Sequence, residues 1–164
     1  MSNGGFDLNL PPCPIEWGPH LWKVLHGVAE QTGKQTDQQK IQIEMNTIPI
    51  LVSTLTDILP CDSCKESFMV WQHSNTFTPG SYEDWNHYTR TWFHGYHSTV
   101  NNRLTKEDIS FNTLSTIYTP TVVQPSLENI STIYQRSIDI RKLDPAPIMR
   151  WISNVQTVST VFGN

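Results

Sequence analysis

Apolar side chains recur at helical spacing along most of the chain, and this period constrains the fold more than any other feature of the sequence. In the first such segment the period runs through Leu21 and Leu25, and Gly33 follows as a stop signal. A second segment spans residues 37–59 and contains Pro49, which predicts a kink or two shorter helices. The repeated period predicts an all-α protein.

Two further helices are predicted in the middle of the chain. The first begins at Cys61, directly after Pro60, which breaks the preceding segment. The second begins at Ser81, which pairs with Asp84 in a weak capping box, and its aromatic stripe continues to Leu104. We expect this stripe to face the core.

The last third of the chain gives weaker signals. Ser110 is predicted to cap a short helix that continues to Tyr118, and Ser126 is predicted to cap a longer one that continues to about Arg141. The segment from Pro147 contains a tryptophan and several valines and threonines. Its pattern leaves a helix, a strand and a docking tail open.

Charge and hydropathy exclude several classes of function. The net charge is −4 and the pI is about 5.8, whereas nucleic-acid binding needs a basic face that neutralises phosphates. No segment is long and apolar enough to cross a bilayer, and residues 1–5 lack the basic and apolar regions of a secretory signal. We therefore expect neither a nucleic-acid partner nor a membrane span.

The cysteines point to redox chemistry or to metal binding. A secreted scaffold held by disulfides would carry more than Cys13, Cys61 and Cys64, and in an even number. A Cys-x-x-Cys pair at a helix start suits thiol–disulfide exchange, because the unpaired N–H groups there favour the thiolate of the first cysteine. The same pair is also half of a zinc site, which would need two more ligands such as His73 and His87.

Tryptophan and histidine share faces of two predicted helices. Trp22 and His26 lie four residues apart, and Trp92 precedes His97 on the aromatic helix. A flat slot with aromatic walls suits an isoalloxazine or adenine ring. A dithiol that is oxidised by oxygen needs a two-electron cofactor, because side chains alone pass electrons to oxygen poorly. The combination favours redox chemistry beside a flat cofactor.

Three motifs, in this order, resemble those of the Erv/ALR family of FAD-linked sulfhydryl oxidases. Residues 17–26, WGPHLWKVLH, look like the opening helix of that family. Residues 59–68, LPCDSCKESF, match its Pro-Cys-x-x-Cys-x-x-x-Phe active site, and Trp92 with residues 97–106, HSTVNNRLTK, matches its last motif. The resemblance covers about residues 16–106 and looks closest to the compact versions encoded by large DNA viruses such as African swine fever virus.

This resemblance implies a fold and a cofactor. The fold would be a four-helix bundle that holds FAD, with a short fifth helix and a C-terminal extension. Cys64 would lie against the flavin, and Cys61 would exchange with the incoming dithiol. The positions that would contact FAD are Trp17, Gly18, Trp22, His26, Trp92, His97, Val100, Asn101, Leu104 and Lys106.

The resemblance also implies a reaction and its partners. The chain would oxidise protein dithiols to disulfides, with electrons passing from Cys61 and Cys64 through flavin to O2 and giving H2O2. A thioredoxin-like carrier is one candidate substrate. The first two predicted helices offer more apolar surface than one small bundle needs, and the family forms helix-packed dimers, so we expect a homodimer. A viral member would act in the host cytoplasm or in the virion.

Two other functions compete with this interpretation. A flavin-free, thioredoxin-like exchange protein would need a strand before the Cys-x-x-Cys pair and a βαβ pattern. The segment before Cys61 has a helical period instead, which disfavours that alternative. A helical binding module stabilised by zinc would have no catalytic activity. We predict no metal, because a second Cys-x-x-Cys pair is missing.

The chain departs from the family in its ends and in its cysteines. Ser98 stands where the family commonly has an asparagine after the histidine. Cys13 alone cannot form the shuttle pair that many members carry, so it either pairs with a second subunit or is incidental. We divide the chain into a flexible N-terminal arm (residues 1–14), an oxidase domain (15–118) and a C-terminal extension of unknown role (119–164).

Overall fold

The computed structural model describes Asp7 and residues 9–163, and the regular structure of these residues is wholly helical. Short 3-10 helices cover Leu55–Ile58, Phe111–Thr113 and Pro120–Val122. The predicted all-α fold is confirmed. The seven α-helices of the described residues are Pro14–Gln31 (α1), Gln38–Ser53 (α2), Asp62–Ser74 (α3), Trp85–Arg103 (α4), Leu114–Ile117 (α5), Val123–Asp139 (α6) and Pro145–Val161 (α7).

Local chemistry fixes both ends of α1. Pro14 occupies the first turn, where its missing N–H removes no helical hydrogen bond. The Glu16 carboxylate accepts a hydrogen bond from the main-chain N–H of Cys13 at 2.8 Å, as in a capping box. Gly33 follows the helix with a φ of +76°, a left-handed conformation that glycine adopts without strain. The predicted stop at Gly33 is confirmed.

Pro49 does not divide α2. The helix continues past it to Ser53, and the chain forms the 3-10 helix Leu55–Ile58 only after Thr54. The alternative of two shorter helices divided at Pro49 is therefore wrong. A proline removes one helical hydrogen bond, but Ile48 beside it is completely buried, so the packing of the apolar face holds the helix together.

Two predicted helix starts are misplaced. Ser81 and Asp84 are hydrogen-bonded through their side chains at 3.0 Å, but they form a turn before α4, which begins at Trp85. Ser126 caps nothing, because it is buried inside α6, which begins already at Val123. In both helices a buried apolar side chain in the first turn decides where the helix packs, and this outweighs the capping signal of a serine.

The chain after Ser110 contains more helix than its sequence pattern predicted. The short helix predicted after Ser110 is present as the 3-10 helix Phe111–Thr113 followed by α5, with Tyr118 directly after its last residue. The final segment, for which three conformations were open, forms α7. Of the predicted flexible arm, residues 1–6 and 8 lie outside the described residues. In the part described, the Leu10 carbonyl accepts a hydrogen bond from Arg136 at 3.3 Å.

The last two helices share the core of the others. α6 packs along α1 and α7 packs along α2. At Gly27 of α1 an added Cβ would lie 2.5 Å from a methyl carbon of Val123, so the close approach of these helices requires glycine. Trp151 of α7 is buried and donates a hydrogen bond to the Leu51 carbonyl at 3.1 Å. The boundary at residue 118 stays a prediction, although both sides of it build one core.

We expect Trp151→Ala to lower the free energy of unfolding by about 3–5 kcal/mol, because it leaves a large cavity and an unpaired Leu51 carbonyl. Urea unfolding of the full chain measures this loss. Met149→Ala on the same helix is the control, since Met149 is 68% exposed. Equal losses in the two variants would show that α7 is not part of the cooperative core.

Candidate functional site

A cavity of about 470 Å³ lies between the first turns of α1, the start of α3 and the end of α4. The predicted catalytic pair, Cys61 and Cys64, lies on its wall, where Cys61 is partly exposed and Cys64 is buried. Ile117 and Tyr118 add a further part of the wall from the end of α5. We call this space the dithiol cavity.

The structure brings eight of the ten predicted cofactor positions to the dithiol cavity, and their contact with a cofactor stays a prediction. His26 and Trp92 do not line it, because both are buried behind its wall. The eight that line it are Trp17, Gly18, Trp22, His97, Val100, Asn101, Leu104 and Lys106.

His26, His97, Tyr118 and the partly buried Trp22 stack at the cavity wall. His26 Nε2 lies 2.8 Å from His97 Nδ1, so one ring donates a hydrogen bond to the other. The His97 ring stacks on Trp22 at 3.8 Å between centroids, and Tyr118 stacks on His26 at 4.5 Å. Burial lowers the pKa of His26 to about 3 and that of His97 to about 4. Both rings are therefore neutral at pH 7.

Trp92 supports the dithiol helix from behind. Its Nε1 donates a hydrogen bond to the Asn75 carbonyl at 2.8 Å, just after the end of α3. Its ring meets Trp71 and Phe68 edge-on, with centroids 4.7 and 6.3 Å away. Because Phe68 lies about one turn after Cys64, these contacts hold α3 against α4.

The segment after α4 folds back beside the dithiol cavity. The main-chain N–H of Lys106 donates to the Asn101 carbonyl at 2.8 Å, and the Asn101 side chain donates to the Glu107 carbonyl at 3.3 Å. The Ser98 hydroxyl donates to the Asp108 carboxylate at 2.8 Å. Ser98, noted above as a departure from the motif, thus has a partner of its own.

The two thiols of the pair have different environments. Cys61 is the N-cap of α3, and its Sγ lies 3.3 Å from the main-chain N–H nitrogen of Cys64 and 3.2 Å from the Ser63 hydroxyl. Burial opposes a thiolate at Cys61, but these hydrogen bonds outweigh it and hold its pKa below the usual range. Burial and the hydrogen bond to Cys61 raise the pKa of Cys64 to about 11, against the nearby Arg103. Cys61 is therefore the first of the two to ionise.

Several residues of the dithiol cavity were not predicted. Lys23 and Arg103 bring positive charge to the wall, and Tyr96 packs on Trp22 at 5.2 Å between centroids. Tyr96 follows Trp92 by four positions, so helical spacing could have identified it. Tyr118 has no such signal, since its place depends on how α5 packs against α1.

The Erv1/Alr family model matches residues 19–119, a segment that contains the dithiol and most of the cavity wall. This match spans more than half of the chain. The chain belongs to the Erv1/Alr family. The resemblance that rested on three short motifs is confirmed over the whole stretch from the first turns of α1 to the end of α5.

The chain is also similar to viral proteins. The FAD-linked sulfhydryl oxidase of African swine fever virus, isolate Warthog/Namibia/Wart80/1980, is 28% identical over 114 residues, which cover 67% of this chain and 86% of the relative. That of isolate Tick/Malawi/Lil 20-1/1983 is 27% identical over 113 residues, covering 66% and 85%. No solved structure matches the chain.

The geometry disfavours the two competing functions. In the described part of the chain, no group of three or more His, Cys, Asp or Glu side chains is placed to hold a metal ion. His73 and His87 therefore do not complete a site with the dithiol. The strand that a thioredoxin-like exchange protein needs before its Cys-x-x-Cys pair is replaced here by α2 and a 3-10 helix. No helix among the described residues has the length and hydropathy to cross a bilayer.

We expect the free energy of unfolding to fall as the pH is lowered from 6.5 to 4. Unfolded histidines take up protons below pH 6.5, whereas His26 and His97 resist protonation down to about pH 3 and 4 in the folded chain. Stability from the buried pair is thus complete above pH 6.5 and is lost on acidification. Urea midpoints across this range measure it. His26→Gln should flatten the slope and the exposed His73→Gln should not; equal slopes in all three proteins would contradict the assignment.

Proposed function

We propose that this chain oxidises dithiols of protein substrates to disulfides, and that electrons pass from Cys61 and Cys64 through FAD to O2, giving H2O2. Its family membership makes the chain a thiol oxidase with FAD as cofactor. The observation that carries the finer proposal is the asymmetry of the dithiol. A partly exposed thiol of lowered pKa precedes a buried thiol of raised pKa on the wall of one aromatic cavity.

The dithiol cavity fits the parts of FAD. Its volume lies in the range of about 300–1,000 Å³ that is usual for small-molecule sites. Trp17 and Trp22 supply aromatic surface for a flat ring, and Lys23, Arg103 and Lys106 supply positive charge for a diphosphate. FAD supplies a two-electron acceptor that takes electrons from thiols and delivers them to O2.

The dithiol environment supports a proposal in two exchange steps. In the first, a substrate thiolate attacks Cys61 Sγ of the Cys61–Cys64 disulfide, and the bond between the two cysteines breaks with its electron pair going to Cys64. In the second, the other substrate thiolate attacks the substrate sulfur of the mixed disulfide, and Cys61 leaves as a thiolate. The substrate is then oxidised and the enzyme dithiol reduced. A leaving thiol of lower pKa leaves faster, which matches the environment of Cys61.

Arg103 favours a negative charge on the Cys64 thiol. The guanidinium lowers the otherwise raised pKa of Cys64 by a hydrogen bond and by its charge. A positive group beside a buried sulfur supports the thiolate that the first exchange step leaves there. Cys64 therefore receives the electron pair next to the cavity in which FAD is proposed to bind, and Cys61 stays accessible to substrate.

The surface on which the homodimer was predicted is covered in part within the chain. α6 packs on α1 and α7 packs on α2, whereas Ile43 and Ile50 of α2 stay exposed. The homodimer stays a prediction. Protein dithiols remain the proposed substrates, with a thioredoxin-like carrier as one candidate and the host cytoplasm or virion as the proposed location.

Cys13 is held close to the dithiol cavity but is not part of its wall. It precedes Pro14, which lines the cavity, and its main-chain N–H is bonded to Glu16. Arg136 of α6 holds the same carboxylate with two hydrogen bonds of 2.6 and 2.9 Å. A fixed position at the start of α1 does not give Cys13 the reach of a shuttle arm. We propose that it is incidental to the oxidation of small dithiols.

We expect the purified chain to absorb in the flavin bands and to release FAD, not FMN, on acid treatment. The reason is the cluster of cations on the cavity wall, which suits the diphosphate of the dinucleotide. Lys106→Ala should lower the FAD content several-fold at equal helical content, whereas Lys142→Ala, an exposed lysine far along the chain, should not. Release of FMN, or a colourless protein, would contradict the proposed cofactor site.

We expect Cys61→Ser and Cys64→Ser each to abolish oxygen uptake with a small dithiol, because each removes one of the two sulfurs between which electrons pass. Cys13→Ser is the matched control and should retain turnover. An oxygen electrode measures all three, with flavin content recorded for each. Full activity in Cys61→Ser would refute the assigned exchange step. Loss of activity in Cys13→Ser would give Cys13 a role in electron relay.

A further inference from the structure

The dipeptide between the two cysteines contains a side chain that the exchange steps have not used. Ser63 is exposed on the second residue of α3, and its hydroxyl oxygen lies 3.2 Å from Cys61 Sγ. Its carbonyl accepts a hydrogen bond from Arg103 at 3.5 Å. Ser63 therefore contacts Cys61 through its side chain. Through its main chain it contacts Arg103, the cation beside Cys64.

We propose that Ser63 is a positioning residue of the dithiol, whose hydroxyl donates a hydrogen bond to the Cys61 thiolate and makes Cys61 the better leaving group in exchange. The proposal deepens the proposed function and rests on the assignment of Cys61 as the sulfur that meets substrate. Ser63 lines the dithiol cavity, and the effect proposed for its hydroxyl acts through Cys61.

The geometry makes the hydroxyl an addition to what the helix already provides. The main-chain N–H of Cys64 donates to Cys61 Sγ at 3.3 Å. This donor belongs to the backbone of the helix start and is present whatever side chains occupy positions 62–64. A hydroxyl adds a second donor that depends on residue type. Hydrogen bonds to a charged acceptor are about twice as strong as neutral ones, so the hydroxyl stabilises the thiolate more than the thiol. The lowered pKa of Cys61 agrees in direction.

The step in which this matters is the release of the oxidised substrate. The second substrate thiolate forms a bond to the substrate sulfur of the mixed disulfide, and the bond from that sulfur to Cys61 breaks. The electron pair goes to Cys61 Sγ, where the Ser63 hydroxyl donates to the new thiolate. A stabilised leaving thiolate speeds this step and makes the Cys61–Cys64 disulfide more oxidising.

Other charges near Cys61 stay constant when only Ser63 is changed. They come from three elements and from the segment after α4, so a shift seen in a Ser63 variant belongs to the hydroxyl and not to a rearranged charge. The groups that line the dithiol cavity beside Cys61 or adjoin it in sequence are Lys23 on α1, Asp62, Lys65 and Cys64 (serine in the alkylation test) on α3, Tyr96, His97 and Arg103 on α4, and Lys106 and Glu107 after it.

The test is the pH dependence of Cys61 alkylation by iodoacetamide in the full, flavin-loaded chain. Cys13→Ser and Cys64→Ser form the background, which leaves Cys61 as the single thiol and keeps the main-chain N–H at position 64. Ser63→Thr retains the hydroxyl, and Ser63→Val has the shape of the threonine variant without the hydroxyl. Ser63→Ala is a smaller hydroxyl-free variant that favours helix. Alkylation needs no turnover, so the outcome is independent of whether the chain is an oxidase.

We expect the pH midpoint of alkylation to rise by about half a unit to one unit in Ser63→Val and Ser63→Ala, with roughly three- to tenfold slower alkylation below the midpoint. Ser63→Thr should stay at the midpoint of the background. In the chain that carries only Cys13→Ser, the same two hydroxyl-free variants should be reduced by glutathione with an equilibrium constant lower by about the same factor.

Unchanged midpoints in both hydroxyl-free variants would overturn the proposal, and so would a midpoint in Ser63→Thr that moves together with that of Ser63→Val. Circular dichroism and flavin content check that each variant is folded. Should one hydroxyl-free variant fail to fold, the other gives the comparison, because Ser63 is exposed and makes no core contact.

Discussion

The packing of α1 between α4 and α6 is the constraint on which the remaining structure depends. Nearly every face of α1 is buried, from Trp17 at its start to Ala29 near its end. One side contacts α4, which carries the last motif, and the other contacts α6. Gly27 permits the second contact, since a side chain there would collide with Val123. Trp17 and Trp22 of α1 line the dithiol cavity, so the shape of the cavity depends on how α1 packs between α4 and α6.

Features set by local sequence could be predicted, whereas features set by tertiary packing could not. Helical period, the Cys61–Cys64 pair and the motif residues are local signals, and the structure places them as helices and as one cavity. His26 and Trp92 share helical faces with cavity residues, yet depth within the core, which no spacing encodes, puts them behind the wall. Ser126 misled for the same reason: a serine that looks like a cap is buried in mid-helix. Their positions depend on tertiary packing.

The expectation of a homodimer also depended on packing that local sequence signals do not show. From the sequence, apolar faces on the first two helices exceed what a small bundle needs, and any apolar partner would satisfy them. α6 and α7, the segments whose sequence patterns were weakest, cover much of these faces, while Ile43 and Ile50 of α2 stay exposed. Trp151 shows the specificity of that contact, because its ring is buried and its N–H is bonded to the Leu51 carbonyl of α2. An unassigned tail thus became core.

The C-terminal helices also reach the chemistry, although they contribute no side chain to the wall of the dithiol cavity in the described residues. Tyr134 of α6 packs edge-on against Trp17, and Arg136 of the same helix pairs with Glu16 in the first turn of α1. Both contacts act on the turn that supplies Trp17 and Gly18 to the wall. Since Glu16 also bonds the N-cap residue Cys13, α6 fixes where α1 begins. The segment beyond the family match therefore helps to shape the site that the family match defines.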